Sequence, residues 1–460
     1  MNFKDLSLED LILKIKNKEA SKEEVFEYFL KRIEKYDDKV QSFNFINTLL
    51  NQEAELTSAL AAPIAVKDIF CEIVPTTCSS KMLENFKPPF DAFVIKKLKE
   101  AFSSLKVTMD EFAMSTNETS AFKKAVNPWG KNRIPGSSGG SAASVAALAP
   151  AALTDTSIRQ PASMCNLVFK PSYRNSRNVI AMASSLDCPG TLTKTVKDSA
   201  ILYEIMNNDP LENTSLPKDL IDPKIWKKTD LKFKIVPKEY FEELDSVRTV
   251  INQAIDKLKE LAEIKEISLP MTKYAIATYY ILMPAEVSTN LSRYDGIRFG
   301  HNSDKPYNSM DELFINNRTE GFKEQKRRII LGSYVLSAFY DAYYKKAAQV
   351  RTLIIKDFEK AFEEVDAIVS PVSPSVAWKI EKIDDPLKMY LADAYTIPAS
   401  LALPGISVPA FAESQDQEKE LLPVLQILTP RLEEQRLFEI AYAFEQATNY
   451  AKQNPKGFED

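Results

Sequence analysis

The chain has 460 residues and a mass of 51.9 kDa, enough for one large domain or two ordinary ones. Lys plus Arg total 59 against 64 for Asp plus Glu, and the net charge of −5 argues against a protein dominated by nonspecific nucleic-acid binding. Cys71, Cys78, Cys165 and Cys188 have no zinc-ribbon or redox spacing, the first 30 residues are charged throughout, and no apolar run spans a bilayer; these features predict a reduced, cytosolic chain without metal, secretory signal or membrane segment.

Along the chain, Ser21-Lys22-Glu23-Glu24 is a capping box, and Val25, Phe26, Phe29, Leu30 and Ile33 follow on one helical face. Pro63 to Phe70 predicts a short buried strand. Asp91 is placed to cap a helix from Ala92 to Ala101. Pro135 to Pro161 is rich in Ser, Ala and Gly. Thr195 and Asp198 have capping-box spacing and start a helix to Met206. Asn207 to Asp230 is polar, carries three prolines and predicts a linker. Val250, Ile251, Ala254, Ile255, Leu258 and Leu261 predict a helix leading into a strand at Ile264–Leu269. Phe322 to Val365 is helix-like throughout, so a break is expected near Gly332. Ala367–Val369, Ile406–Val408 and Val424–Leu428 predict strands, and a last helix spans about Leu432 to Tyr450. Helices alternating with short strands imply an α/β fold with a mostly parallel or mixed sheet.

Candidate chemistry begins with Lys67, which sits in an apolar strand. It is either a strand-end lysine paired with Asp68 or a desolvated amine that acts as a general base. Gly136-Ser137-Ser138-Gly139-Gly140-Ser141 precedes an alanine-rich helix former, so a flexible linker is a poor reading, and it lacks the Gly-Lys-Ser/Thr of a phosphate loop. Thr154-Asp155-Thr156-Ser157-Ile158-Arg159-Gln160-Pro161 is a polar loop when taken alone. The chain has one histidine, His301, so a conventional triad or a His-ligated metal would have to pass through it. Two serine loops and a strand lysine suggest Ser–Lys hydrolysis instead. The cysteines read as small core residues.

Ala-Pro-Ile-Ala-Val-Lys67-Asp, Gly-Ser-Ser138-Gly-Gly-Ser-Ala-Ala and Asp-Thr-Ser157-Ile-Arg-Gln-Pro-Ala resemble, in order, the three motifs of the amidase signature family. The likeness runs through nearly the whole chain and is strongest to the A subunits of aspartyl/glutamyl-tRNA amidotransferases. It is carried further by Met109-Asp-Glu-Phe-Ala-Met114, the segment Asn290 to Gly300, Glu320-Gly-Phe, Lys326 to Gly332, Tyr340 to Tyr344 and Pro404 to Pro409. The resemblance implies one amidase domain over residues 1–460, a mixed sheet surrounded by helices. N-terminal helices would occupy about 1–60, a core about 61–206 and 321–460, and a helical and irregular insertion about 207–320. It implies a triad of Ser157 as nucleophile, Ser138 as bridging serine held by a cis peptide, and Lys67 as base, with the oxyanion bound by the amides of Thr156 and Ser157. Arg328 would hold the α-carboxylate of glutamine and Asp393 its α-ammonium, and Tyr279 would line the pocket. Without the resemblance, Lys326-Arg327-Arg328 and Asp393 read as solvated helix surface. The implied partners are B and C subunits, with ATP and Mg²⁺ used by the B subunit to activate misacylated tRNA; this chain itself needs no cofactor.

The sequence departs from the family in one respect. The nucleophile motif Asp-Thr-Gly-Gly-Ser-Ile-Arg here reads Asp155-Thr156-Ser157-Ile158-Arg159, without the two glycines. The deficit is global: 11 glycines in 460 residues is 2.4%, against roughly 7% in ordinary proteins. The resemblance implies the glutamine-hydrolysing subunit of a tRNA-dependent amidotransferase; the alternatives are a free-standing amidase on other carboxamides, which would not need both Arg328 and Asp393, and, because of the missing glycines, a catalytically degenerate scaffold subunit.

Overall fold

The computed structural model describes residues 2–45, 62–114, 119–155, 167–173, 177–207, 231–235, 247–380, 393, 395–410, 424–448 and 454–459. Its centre is one eleven-stranded mixed sheet. The strands in chain order are β1 (Phe43–Phe45), β2 (Pro63–Lys67), β3 (Ser103–Val107), β4 (Ala151–Asp155), β5 (Leu167–Lys170), β6 (Pro189–Thr193), β7 (Leu231–Ile235), β8 (Ala262–Glu266), β9 (Ala367–Pro371), β10 (Gly405–Pro409) and β11 (Val424–Leu428). Across the sheet they run β1-β3-β2-β4-β6-β5-β10-β11-β9-β7-β8. Strands β3, β2 and β4 are mutually parallel, as are β9, β7 and β8, and the pairs between these two groups are antiparallel. Strands β2, β3, β4, β5, β6, β9, β10 and β11 are buried at every position, as strands covered on both faces are, with Lys67, Lys106, Asp155 and Lys170 the charged residues among them.

The described helices are α1 (Leu8–Lys16), α2 (Lys22–Val40), α3 (Phe93–Lys99), α4 (Gly139–Ala147), α5 (Val196–Met206), α6 (Arg248–Leu261), α7 (Ala275–Leu291), α8 (Met310–Gly321), α9 (Gln325–Ala338), α10 (Lys345–Phe362), α11 (Ile397–Ala402) and α12 (Glu434–Thr448). The Ser21 capping box forms as its spacing predicts, and α2 buries Val25, Phe29, Ile33 and Val40. Thr195 Oγ1 accepts from Asp198 N at the start of α5, whereas the Asp198 carboxylate accepts from Glu9 N of α1 (3.0 Å). Helix α4 lies against β2, β3 and β4. Its alanines keep that approach close, and a Cβ at Gly140 would stand 2.2 Å from the Thr108 carbonyl oxygen, so only glycine fits.

The structure differs from the expectations of the sequence at four places. Asp91 does not cap α3, because its carboxylate accepts from Ile73 N (2.8 Å) and pairs with Lys99 (3.2 Å). Residues 231–266, expected in the insertion, contribute β7 and β8 to the sheet edge, and the strand after α6 starts at Ala262, ahead of Ile264. Helix α9 runs through Gly332 unbroken, and the break falls at Phe339, followed by a π turn at Tyr340–Tyr344. Finally, every peptide bond among the described residues is trans, so the implied cis bond at Ser138 is not found; the trans turn leads into α4, with Ala142 N donating to Ser138 O (3.0 Å). The linker expected from Asn207 to Asp230 lies, beyond Asn207, outside the described residues.

Candidate active site

Two parallel strands and one helix assemble the first half of the site. Lys67 ends β2, Thr154 and Asp155 end β4, and Ser138 precedes the first residue of α4. Carboxyl ends of parallel strands beside a helix N-terminus are where open α/β sheets place their ligands. Lys67 is 1% exposed and Ser138 fully buried. Lys67 Nζ donates to Ser138 Oγ at 2.7 Å, and Thr154 Oγ1 donates to the same oxygen at 2.9 Å. With both lone pairs of Ser138 Oγ engaged, its own hydroxyl hydrogen is the group left to donate.

The carboxylate that Lys67 meets is Asp155, itself 1% exposed, and not Asp68, as the strand-end reading of Lys67 would have it. Successive side chains of a strand point to opposite faces, so neighbours in sequence cannot pair across the end of β2. Asp68 instead closes the loop that follows β2, accepting from Thr77 N (3.1 Å), Thr77 Oγ1 and Ser79 N (3.2 Å). Burial pushes the Asp68 carboxyl up, against the opposing charge of Lys106. Thr156 and Ser157, the expected oxyanion donors and nucleophile, lie outside the described residues; in the chain Ser157 is the second residue after Asp155.

A second buried carboxylate, unmarked by any sequence motif, lies at the entry to the neighbouring strand, where Pro189, two residues after Asp187, stands opposite Asp155. Asp187 precedes β6, the antiparallel neighbour of β4, and accepts from Met182 N (2.8 Å) and Ala183 N (3.1 Å). Burial first, and then the Asp155 charge, raise its carboxyl to about 7. Its sequence signal is only an acidic residue two places before a strand.

Helices α7, α9 and α11 build the second half. Lys326 and Arg327 are exposed, as a solvated helix face would have them, but Arg328 turns inward and is 8% exposed. Its Nη1 lies 3.7 Å from Met283 Sδ on α7, its Nε is buried without a hydrogen-bond partner, and no carboxylate pairs with it among the described residues. Asp393 starts the turn into α11, where its carbonyl accepts from Ile397 N (3.0 Å). Its carboxylate accepts from Tyr280 Oη (3.0 Å). Tyr279 packs edge-on against the Tyr280 ring at 5.2 Å. The structure therefore brings Tyr279, Asp393 and Arg328 to one helix, α7. It adds Tyr280, which no spacing signal distinguishes from its neighbour.

His301 takes no part in either half: its Nε2 is 2.9 Å from Glu320 Oε2. Cys71, Cys78 and Cys188 are buried and form no disulfide among the described residues, and burial pushes Cys71 up to about 11 and Cys78 well above the usual thiol range, so neither of those two offers a ready thiolate. Cys165 lies outside the described residues.

The sequence pattern of the Amidase family matches residues 24–438. The A subunit of glutamyl-tRNA(Gln) amidotransferase from Halothermothrix orenii is 44% identical over 486 aligned positions, covering 99% of this chain and all of that protein. The same-named protein of Nitrosococcus oceani is 46% identical over 487 positions, covering 98% and 99%. Both alignments are longer than this 460-residue chain, so the relatives carry residues it lacks. The crystal structure of the corresponding Thermotoga maritima protein, also the A subunit of a glutamyl-tRNA(Gln) amidotransferase, superposes with a TM-score of 0.80 at 36% identity, over 97% of this chain and 95% of that one. A 6-aminohexanoate cyclic dimer hydrolase, at 17% identity and a TM-score of 0.83, shares the fold over 99% of both chains. With the family pattern covering most of its length and relatives matching it end to end, the chain belongs to the amidase family.

Proposed function

We propose that the chain is the glutamine-hydrolysing subunit of a tRNA-dependent amidotransferase. The observation that carries this reading is the buried Lys67 Nζ–Ser138 Oγ hydrogen bond of 2.7 Å at the ends of β2 and α4. In the mechanism it supports, Lys67 takes a proton from Ser138, Ser138 takes one from Ser157, and Ser157 Oγ bonds to the side-chain carbonyl carbon of glutamine. The amides of Thr156 and Ser157 receive the oxyanion. The proton returns through Ser138 to the leaving nitrogen, the C–N bond breaks and ammonia departs. Water then cleaves the acyl ester and releases glutamate. Arg328 binds the α-carboxylate with its free guanidinium edge, Asp393 the α-ammonium, and Tyr279 lines the pocket.

The ammonia passes to a B subunit that uses ATP and Mg²⁺ to activate the carboxylate on Glu-tRNA(Gln), or on Asp-tRNA(Asn) by the same chemistry, and a C subunit completes a cytoplasmic heterotrimer. The names of the relatives support an amidotransferase acting on Glu-tRNA(Gln); the B and C subunits, ATP and Mg²⁺, Asp-tRNA(Asn) and the cytoplasmic location are what the family resemblance implies. No described helix is long and apolar enough to cross a membrane.

The test is ammonia release from glutamine by the chain reconstituted with B and C subunits. Lys67→Ala, Ser138→Ala and Ser157→Ala are each expected to lose at least about 100-fold in rate. Near-normal turnover by Ser157→Ala would overturn the assignment. The missing glycines favour a second reading, a scaffold that assembles without turning over glutamine. Gly-Gly inserted between Thr156 and Ser157 is expected to raise the rate about 10²- to 10³-fold by restoring an oxyanion donor. An unmodified chain that already turns over glutamine, with no gain on insertion, excludes the scaffold.

A further inference from the structure

The two halves of the site are joined by residues outside the three motifs. On α7, Tyr279, Met283, Glu286 and Asn290 follow at helical spacing and form one stripe. The upper part of the stripe touches the substrate-binding groups described above. The lower part grips the loop of residues 182–187. Glu286 Oε2 accepts from Ser185 N (2.8 Å) and its Oε1 from Ser185 Oγ (2.6 Å). Asn290 Nδ2 donates to Met182 O (3.0 Å) and Ser184 Oγ (2.9 Å). From α10, Arg351 closes the clamp: Nη1 donates to Ser185 Oγ (2.8 Å), and Nη2 donates to Ser185 O (3.1 Å) and to Leu401 O of α11 (2.7 Å). One serine thus engages a carboxylate and a guanidinium from two helices, and the same guanidinium holds the end of the helix that Asp393 begins.

That loop ends in Asp187, two residues before Pro189, which stands opposite Asp155, the partner of Lys67, in the β4–β6 pairing. We propose that Glu286 and Arg351, acting through Ser185, are positioning residues that fix the 182–187 loop against the Asp155–Lys67 pair and so set the geometry of proton transfer. This rests on the glutaminase reading. Glu286 and Ser185 act on the catalytic half, because α7 is seated independently by its long contact with α9, and with it the contact of Met283 on Arg328, whereas Arg351 also holds α11 through Leu401 O.

The experiment uses the reconstituted complex and measures kcat and KM for glutamine in Glu286→Ala, Glu286→Gln, Arg351→Lys and Ser185→Ala. Far-UV circular dichroism and the thermal midpoint establish that each variant is folded. Glu286→Ala is expected to lower kcat about 10- to 100-fold with KM changed less than about 3-fold, the signature of misplaced reacting groups with substrate binding intact. Glu286→Gln retains an acceptor for Ser185 N and is expected to recover part of kcat. Arg351→Lys cannot span Ser185 and Leu401 and is expected to lower kcat as Glu286→Ala does, with KM also raised through the lost hold on α11. The double variant Glu286→Ala/Ser185→Ala is expected to be no worse than the more damaged single variant, since both remove one unit. A folded Glu286→Ala variant with unchanged kcat, or one whose loss appears mainly in KM, overturns the proposal. Ser157→Ala in the same assay separates the two failures: if it is inactive while Glu286→Ala is normal, the clamp is wrong and the glutaminase stands.

Discussion

Lys67 and Arg328 are both buried basic side chains, and the protein treats them differently. Lys67 meets a buried carboxylate and a hydroxyl, whereas Arg328 meets a thioether and leaves Nε unsatisfied. An unpaired buried charge is destabilising, so a residue kept that way points to an anionic ligand that supplies the missing partner. Arg328→Met is accordingly expected to leave thermal stability unchanged or raised by about 1 kcal/mol, while raising KM for glutamine about 10- to 150-fold through loss of a charged hydrogen bond. Hydrolysis of a simple amide without a carboxylate is expected to suffer much less. Thermal denaturation beside steady-state kinetics checks both halves, and a variant that melts earlier with unaltered KM would make Arg328 a structural residue. Nothing in the local pattern marks Arg328, because two exposed basic neighbours disguise it, and only the family resemblance singles it out. Lys67 and Ser138 stand out in the sequence because a lysine inside an apolar strand and a serine opening an alanine helix break local rules that ordinary packing obeys, but the lysine alone reads better as a strand-end residue, and only the family resemblance assigns the pair its roles.

Helix α9 shows why periodicity alone misplaces a break. Glycine weakens an isolated helix, so Gly332 looks like its end. In the fold Gly332 lies where α9 presses on α7, and a Cβ there would come 1.9 Å from the Pro284 carbonyl oxygen. Pro284 lies inside α7, so the glycine meets the turn where a proline has already removed one backbone donor. Gly332→Ala gains helix propensity and loses this seat. Overpacking typically costs about 1–3 kcal/mol, so a net destabilisation is expected, together with a raised KM because Arg328 lies one turn away on the same helix. Urea denaturation and glutamine kinetics test it, and a stabilised variant with normal KM would show that the two helices separate freely. Elements with local signals, such as the Ser21 box, β2 and β11, were legible in the sequence. The placement of β7 and β8 was not, since it depends on pairing with β9 more than 100 residues away.

At the scale of the whole molecule, the all-buried strands and their covering helices enclose several carboxyls whose protons follow the fold. Burial is the leading cause in each case, raising Glu111, Asp187 and Glu445 to about 7 and Asp198 to about 6. Unfolded, such groups titrate near 4. Between about pH 4 and 7 these four groups hold more protons in the folded chain than in the unfolded chain, so their contribution lowers stability as pH rises through that window. Each group contributes at most about 1.4 kcal/mol per pH unit there, and its penalty is complete above its folded value. Glu445 offers the cleanest test because it lies far from the motifs and accepts one hydrogen bond from Val196 N (2.9 Å), which a neutral amide also accepts. Glu445→Gln is expected to flatten the decline in stability between pH 5 and 7 by about 1 kcal/mol per unit and to melt later than the parent at pH 8. At pH 4, where the carboxyl is largely protonated in both folded and unfolded chains, the two proteins should nearly coincide. Denaturant midpoints at pH 4, 5, 6, 7 and 8 measure this directly, and parallel curves for parent and variant across the series would show that Glu445 is ionised in the folded protein at no cost to it.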